Sequence, residues 1–182
     1  MSFSLREWSL SILLLLVVLF ILRRRGHSWA FLLLFGAFWL YLTFLVSVAF
    51  FPIPPQRNSL KRNFRQTMRR IQWAPFGYLT NPNISSRLIY AEIIGNIEAT
   101  LPFGIFLPWL WPRLRKAMPW LIWLPGLGIE MVQFLLSIIF GPYRTVDSSD
   151  VILNAIGVAS GYWLFSLSEL LFHSKWQTPK RH

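Results

Sequence analysis

The 182-residue sequence contains no cysteine, and only seven acidic residues against 18 lysines and arginines. The absence of cysteine excludes disulfides, thiolate metal sites, cysteine nucleophiles and lipid-modified cysteines. Charged residues of both signs make up only 14% of the chain, whereas soluble domains carry about 25%. The chain therefore does not have the composition of a soluble domain.

Hydrophobic residues account for 54% of the chain and gather in five runs. A membrane-spanning helix needs ~20 mostly apolar residues, and all of the runs except the first exceed this length. The runs lack the period-two alternation of a membrane barrel, so helices remain as the structure that satisfies every backbone group in lipid. We predict an all-α polytopic membrane helix bundle of about five transmembrane helices. The predicted spans are Trp8–Leu22, Trp29–Phe51, Leu88–Trp111, Ala117–Phe140 and Val151–Phe172.

The first run is followed by three arginines, Arg23–Arg25, and by no small-residue cleavage site. This pattern predicts an uncleaved anchor and not a signal peptide. Because positive charge marks the inner end of an anchor, we predict that the N-terminus lies outside the membrane and the C-terminus inside. The other cations do not decide the orientation, since all the lysines and arginines together divide equally between the two sides.

The longest connection contains the segment "RNSLKRNFRQTMRRIQW", residues 57–73. On a helix, Leu60, Phe64, Met68 and Ile71 fall on one face about 80° wide. Such a basic amphipathic helix is typical of the membrane interface, with its cations toward anionic lipid headgroups; a solvated basic loop is the alternative. The cations on the rest of the circle are Lys61, Arg62, Arg65, Arg69 and Arg70.

Polar residues recur at helical spacing where the last span begins. Asp147, Asp150, Asn154, Gly157 and Gly161 are separated by three or four residues and so form one stripe. Asp147 has the position of an N-cap or a first-turn acid, which the free N–H groups of a helix start favour. The two glycines would allow a neighbouring helix to approach closely.

The preceding span carries a matching stripe of Gly126, Glu130, Gln133 and Ser137. A short loop joins the two spans, so we expect antiparallel neighbours whose stripes face each other. The alternative, an acid facing lipid at mid-helix, costs ~2.5–3.5 kcal/mol on insertion scales.

The third span begins on the same side and adds two polar residues one turn apart, Glu92 and Asn96. Arg144 is the predicted counter-ion of Glu130 or Asp147, since its guanidinium can hold a carboxylate by two hydrogen bonds. The spacing therefore predicts a polar seam near one membrane face, either a binding site or a purely structural contact between helices. The polar seam consists of Glu92, Asn96, Glu130, Gln133, Arg144, Asp147, Asp150 and Asn154.

Three segments resemble the VanZ-like family, small bacterial membrane proteins whose founding member is linked to teicoplanin resistance. They are "NIEATLPFGIFLP" at 96–108, "GIEMVQF" at 128–134 and "RTVDSSDVILNAIGVASGY" at 144–162. With "APFGYL" at 74–79, the resemblance covers roughly Trp73 to Tyr162. The family's pattern corresponds to Asn96, Pro102, Gly104, Glu130, Gln133, Arg144, Asp147, Asp150, Asn154, Gly157 and Gly161.

Glu98 departs from that pattern, because the family normally has an apolar residue there. It lies near mid-membrane on the side of its helix opposite Asn96, where it would face another subunit, pair with a cation or be protonated. The resemblance divides the chain into an N-terminal part (1–72: anchor, second span and basic helix), a VanZ-like core (73–172) and a basic C-terminal tail (173–182).

The resemblance implies a cell-envelope role in the bacterial plasma membrane, and antibiotic resistance does not follow from it alone. Three functions remain open. The favoured one is non-enzymatic: the polar pocket would bind an amphiphile, a lipid headgroup or a glycopeptide-type antibiotic, and the basic helix would attract anionic membrane lipids. The second is an assembly or scaffold subunit with a protein partner or an oligomer.

The third function is an intramembrane enzyme on a lipid-linked substrate. Glu130 would be its general base, Asp147 and Asp150 would bind a metal or a second proton, and Arg144 would hold phosphate. The seam contains no histidine and no nucleophile paired with a base, so binding is favoured over catalysis. We expect no cofactor, no metal and no nucleic-acid partner.

Overall fold

The computed structural model describes residues 4–55, 58–80 and 84–173. Over these residues the chain forms seven α-helices and no β-strand. Four of the helices are each long and apolar enough to cross a membrane, and a bent pair supplies a fifth span if it is counted as one. The predicted all-α membrane helix bundle is confirmed. The helices are α1 (Leu5–Arg24), α2 (Trp29–Phe50), α3 (Leu60–Arg70), α4 (Ser86–Leu110), α5 (Met118–Leu121), α6 (Leu124–Phe140) and α7 (Ser148–His173).

The predicted fourth span, Ala117–Phe140, is not one continuous helix. The chain bends by 61° between the segment Pro112–Leu121 and α6. Pro125 lies in the first turn of α6 and has no N–H to donate to the carbonyl of Leu121, four residues earlier. The helix therefore ends at Leu121 and restarts in a new direction.

Helices α4 and α7 form the most extensive helix pair in the described part of the chain. Asn96 is hydrogen-bonded to Asp150, and Thr100 to Asn154, so the two helices run parallel.

Glycines bring the backbones of α4 and α7 into contact. A Cβ at Gly104 would overlap Val158, and one at Gly161 would overlap Leu101. Gly157 likewise meets the backbone of Ile97.

Helix α6 runs antiparallel to α7. A Cβ at Gly126 would lie 2.9 Å from the carbonyl oxygen of Val151, while Glu130 lies opposite Asp147. Because α6 continues to Phe140, its last ten residues extend past the start of α7. At ~1.5 Å per residue, α6 extends ~15 Å beyond the point where α7 begins.

Helix α3 packs across the last turns of α6, which confirms the prediction of a helix within residues 57–73. Its buried side is polar: Asn63 and Thr67 are 0% and 2% exposed. The Asn63 side-chain amide donates to the carbonyl of Ile138 at 3.1 Å. This carbonyl lies in the last turn of α6 and has no hydrogen-bond donor within its own helix. The apolar face, with Phe64 and Met68, remains exposed beside this contact.

Two parts of the chain for which the sequence makes predictions lie outside the described residues. The predicted basic tail, 173–182, is described only at the backbone of its first residue, and Arg57 falls between the described residues 51–55 and 58–59 of the α2–α3 connection.

Candidate polar site at the start of the last helix

Asp147 occupies the N-cap position of α7. One oxygen of its carboxyl group, Oδ1, accepts hydrogen bonds from the backbone N–H and the hydroxyl of Ser149, both at 2.7 Å. This contact satisfies one of the N–H groups that a helix start leaves free. The Asp147 side chain is thus buried and oriented by the first turn of its own helix.

The backbone segment from Gln72 to Phe76 holds the start of α7 in place. The N–H of Gln72 donates to the carbonyl of Val146 at 2.9 Å, and the N–H of Ser148 donates to the carbonyl of Gln72 at 3.1 Å. The hydroxyl of Ser148 donates to the carbonyl of Trp73, and the hydroxyl of Ser149 accepts from the N–H of Phe76. Both hydroxyls of the Ser148–Ser149 pair are therefore engaged in fixing the loop.

Glu130 reaches from α6 to this same turn. Its Oε2 accepts a hydrogen bond of 2.9 Å from the backbone N–H of Asp147. The side chain is only 5% exposed, and its other oxygen, Oε1, is buried and accepts no hydrogen bond from the described residues. The carboxyl group of Glu130 therefore has one oxygen committed to structure and one without a partner in the described chain.

Helix α4 completes the site from the opposite side. The Asn96 amide donates to Asp150 Oδ1 at 2.9 Å and to the carbonyl of Glu92 at 3.1 Å. Thr100, one turn further along, is fully buried and donates to the carbonyl of Asn154 at 2.8 Å. The sequence analysis did not single out Thr100, although it continues the i, i+4 series of Glu92 and Asn96.

Arg144 does not pair with Glu130 or Asp147, so the predicted counter-ion role is wrong. Its Nη2 donates instead to the carbonyls of Val48 and Phe51, at 3.2 and 3.1 Å. The physical reason is that the last carbonyls of a helix lack intrahelical partners and carry partial negative charge, which attracts a cation.

Two further side chains cap the same end of α2. The Gln133 amide donates to the carbonyl of Ala49 at 3.0 Å, and the hydroxyl of Tyr143 donates to the carbonyl of Phe50 at 3.2 Å. The Tyr143 hydroxyl is protonated and able to donate at neutral pH, and burial raises its pKa further. Gln133 belongs to the predicted seam, and its amide group is used for this structural contact.

Seven of the eight seam residues line a polar cavity of about 270 Å³ between α2, α4, α6 and α7. Asp147 is the one seam member absent from its lining; it borders a neighbouring recess with Glu92 and Asp150. The structure therefore brings all of the predicted seam except Asp147 together around one cavity. Its lining includes Glu92, Asn96, Glu130, Gln133, Arg144, Asp150 and Asn154.

An apolar groove of about 410 Å³ lies on the other side of Glu130, between α3, α6 and the start of α7. Glu130 lines both the groove and the polar cavity, and Asp147 lines the groove beside it. The apolar lining includes Met68, Ile71, Leu127, Met131, Phe134 and Val151. The sequence analysis did not predict this groove, because its walls come from segments far apart in the chain.

Acceptors outnumber free donors in the polar cavity. Its lining has three acids against one arginine. The Asn96 and Gln133 amides and Nη2 of Arg144 already donate to other protein groups. The cavity is therefore suited to binding groups that donate hydrogen bonds or carry positive charge. Among the described residues, no three histidine or acidic side chains are placed so that they could hold a metal ion.

The chain matches the VanZ/LLP1 family model over residues 38–171. The matched region begins within α2 and includes α3 and every seam residue, so it is wider than the segments that carry the resemblance in the sequence. No curated protein matches the chain, and no solved structure does.

Proposed function

Since this chain belongs to the VanZ-like family of membrane proteins, we propose that it binds an amphiphile within the membrane without converting it chemically. One observation carries the proposal. The carboxyl group of Glu130 stands between an apolar groove and a polar cavity, so one molecule with a hydrocarbon chain and a polar head would contact both.

The apolar groove is the place for the hydrocarbon chain. Its volume lies within the ~300–1,000 Å³ of ordinary ligand pockets. Leu127 and Met131 are 53% and 64% exposed along its edge, on a helix otherwise suited to lipid contact. A chain could therefore enter sideways from the bilayer without crossing a polar surface.

The polar cavity is the place for the headgroup. Because it has more acceptors than free donors, headgroups bearing hydroxyl or ammonium groups fit it better than a bare phosphate. The exposed cations of α3, among them Arg65 and Arg69, belong to the same helix as the groove residue Met68 and would draw anionic lipids toward this face of the membrane. With the predicted orientation, that face is the outer one, which fits a role in the cell envelope.

A photoactivatable lipid tests the proposal. The purified protein, in detergent, is incubated with a diacyl lipid that carries a diazirine on its acyl chain and is then irradiated. We expect labelled peptides to concentrate around Leu127 and Val151 and an excess of unlabelled lipid to abolish the labelling. Met131→Trp should block the groove and reduce this labelling, whereas Leu164→Trp, on the exposed side of α7, should not. Uniform labelling of all exposed helices, unaffected by Met131→Trp, would contradict a specific groove.

The Glu130→Gln variant distinguishes binding without chemical conversion from the alternative, an enzyme that uses Glu130. The glutamine oxygen can still accept the hydrogen bond from Asp147, so the fold and the labelling should persist. An enzyme that uses Glu130 as a base would lose turnover of its lipid-linked substrate in this variant.

A further inference from the structure

Two residues in the lining of the polar cavity each have a buried acceptor atom with no donor among the described residues. The atoms are Oε1 of Glu130 and the side-chain oxygen Oδ1 of Asn154. Both side chains are almost completely buried, since the residues are 5% and 1% exposed. A buried acceptor without a partner is unfavourable, so such atoms in a folded protein normally meet a water molecule or a ligand. The two oxygens therefore mark a place where a donor is expected.

The two residues belong to neighbouring turns of α6 and α7. A Cβ at Gly126, one turn before Glu130, would lie 3.2 Å from the Cβ of Asn154. Asp150, one turn before Asn154, lines the same cavity, and its Oδ1 accepts a hydrogen bond from Asn96. The second carboxyl oxygen of Asp150 supplies a third acceptor in this part of the lining.

We propose that the headgroup held in the polar cavity carries a primary ammonium group, whose N–H groups donate to Glu130, Asn154 and Asp150. This inference rests on the proposed function, because the ammonium belongs to the amphiphile whose hydrocarbon chain lies in the apolar groove. Charge favours an ammonium over a hydroxyl or a water molecule. The lining contains three acids and one arginine, and Nη2 of Arg144 already donates to two carbonyls at the end of α2.

A quaternary ammonium does not fit the same acceptors. A primary ammonium has three N–H donors, whereas a trimethylammonium group has none. Because both orphan oxygens are buried, only a compact donor reaches them. The geometry does not favour a metal ion, since no three histidine or acidic side chains in the described part of the chain are placed to hold one.

A series of lipids that differ only in N-methylation tests the inference. The purified protein is photolabelled with a choline lipid that carries the acyl-chain diazirine. Unlabelled phosphatidylethanolamine, its N-methyl and N,N-dimethyl derivatives and phosphatidylcholine are then compared as competitors. All four share the same phosphate and acyl chains, so only the number of N–H donors changes.

The concentration of competitor that halves the labelling around Leu127 is the readout. Phosphatidylethanolamine should act at a concentration about tenfold lower than phosphatidylcholine, because methylation removes charge-assisted hydrogen bonds. The two derivatives should fall between them in the order of their N–H groups. Equal competition by all four lipids would overturn the inference and leave lipid binding in the groove intact. Absence of groove labelling would instead contradict the proposed function, and this inference with it.

Free ethanolamine distinguishes an ammonium on an amphiphile from a soluble amine. It lacks the hydrocarbon chain that the apolar groove would hold, so it should not compete at the concentrations at which phosphatidylethanolamine does. Equally strong competition by free ethanolamine would overturn an amphiphile as the source of the ammonium.

Three variants test the named acceptors through the ratio of the two competitors' potencies. Glu130→Gln replaces one carboxyl oxygen with an amide that donates, while the other oxygen can still accept from the N–H of Asp147. Asn154→Leu removes the second orphan acceptor at similar volume. Both variants should lower the preference for phosphatidylethanolamine towards one. Glu98→Gln makes the same acid-to-amide change at an exposed position of α4 outside the cavity lining, so it should keep the preference.

Two results with these variants would overturn the assignment of the acceptors. One is a preference that survives both Glu130→Gln and Asn154→Leu. The other is a preference that Glu98→Gln abolishes as well, because the effect would then follow the total charge of the protein and not the acceptors in the cavity.

Discussion

The carboxyl group of Glu130 and the backbone N–H of Asp147 are joined by a buried hydrogen bond of 2.9 Å. This contact ties α6 to the first turn of α7 at the boundary between the apolar groove and the polar cavity. The same carboxyl group thus stabilises the fold through one oxygen and leaves its second oxygen without a protein donor in the described chain.

Removing the acceptor should destabilise the protein. Glu130→Ala leaves the Asp147 N–H buried without a partner, which costs about 1–3 kcal/mol. Glu130→Gln retains an acceptor oxygen and should stay within about 1 kcal/mol of the original protein. Reversible unfolding in mixed detergent micelles measures both, with the adjacent exposed Met131→Ala as control. Equal stability of the alanine and glutamine variants would show that the hydrogen bond is not needed.

A methyl group at Gly104 should separate α4 from α7. The added Cβ overlaps the backbone of Val158 and Tyr162, so the helices must shift, at a cost of about 1–3 kcal/mol. Gly128→Ala is the matched control, since a Cβ there meets nothing within 4 Å and helix propensity favours alanine by ~1 kcal/mol. Thermal unfolding in detergent should therefore move in opposite directions for the two variants.

Arg144→Ala should loosen the end of α2, because the carbonyls of Val48 and Phe51 lose a charged donor. A loss of about 1.4 kcal/mol corresponds to a tenfold faster amide hydrogen exchange. The increase is expected in the last turn of α2, and Arg113→Ala, an exposed cation far along the chain, should produce none. Faster exchange at the start of α7, with α2 unchanged, would instead restore the counter-ion interpretation.

The predicted orientation is tested by labelling single cysteines in whole cells. Thr145→Cys lies exposed in the α6–α7 loop, and Arg113→Cys lies exposed beyond the other end of α4. With the N-terminus outside, a membrane-impermeant maleimide should label position 145 in intact cells and position 113 only after permeabilisation. The reverse pattern would place the polar cavity on the inner face and make cytoplasmic ligands the candidates.

Features of the site that depend on local spacing could be predicted from the sequence. The stripe of Asp147, Asp150 and Asn154 follows from helical periodicity, and the cap formed by Asp147 follows from its place before an apolar run. The matching stripe with Glu130 was predictable because a short loop leaves antiparallel packing as the only arrangement within reach.

Features that depend on distant partners could not be predicted in this way. Arg144 has a carboxylate nearby in sequence, yet its guanidinium binds carbonyls of a helix that ends almost a hundred residues earlier. Asn63 and Thr67 look like ordinary polar positions of a basic helix, and they are buried because α3 covers the end of α6. Neither contact leaves a signal in local composition.

The sequence by itself determined that this is a helical membrane protein of the VanZ-like family with its polar residues on shared helix faces. Run length, charge distribution and spacing decide those properties, and each is a property of a single segment. The tertiary structure alone decided that α7 begins beside Glu130, ten residues before α6 ends. It also decided that seam residues line a cavity and that an apolar groove lies beside it. These depend on how far helices from different parts of the chain slide past one another, which is set by glycine contacts and capped helix ends that form only when the whole bundle packs.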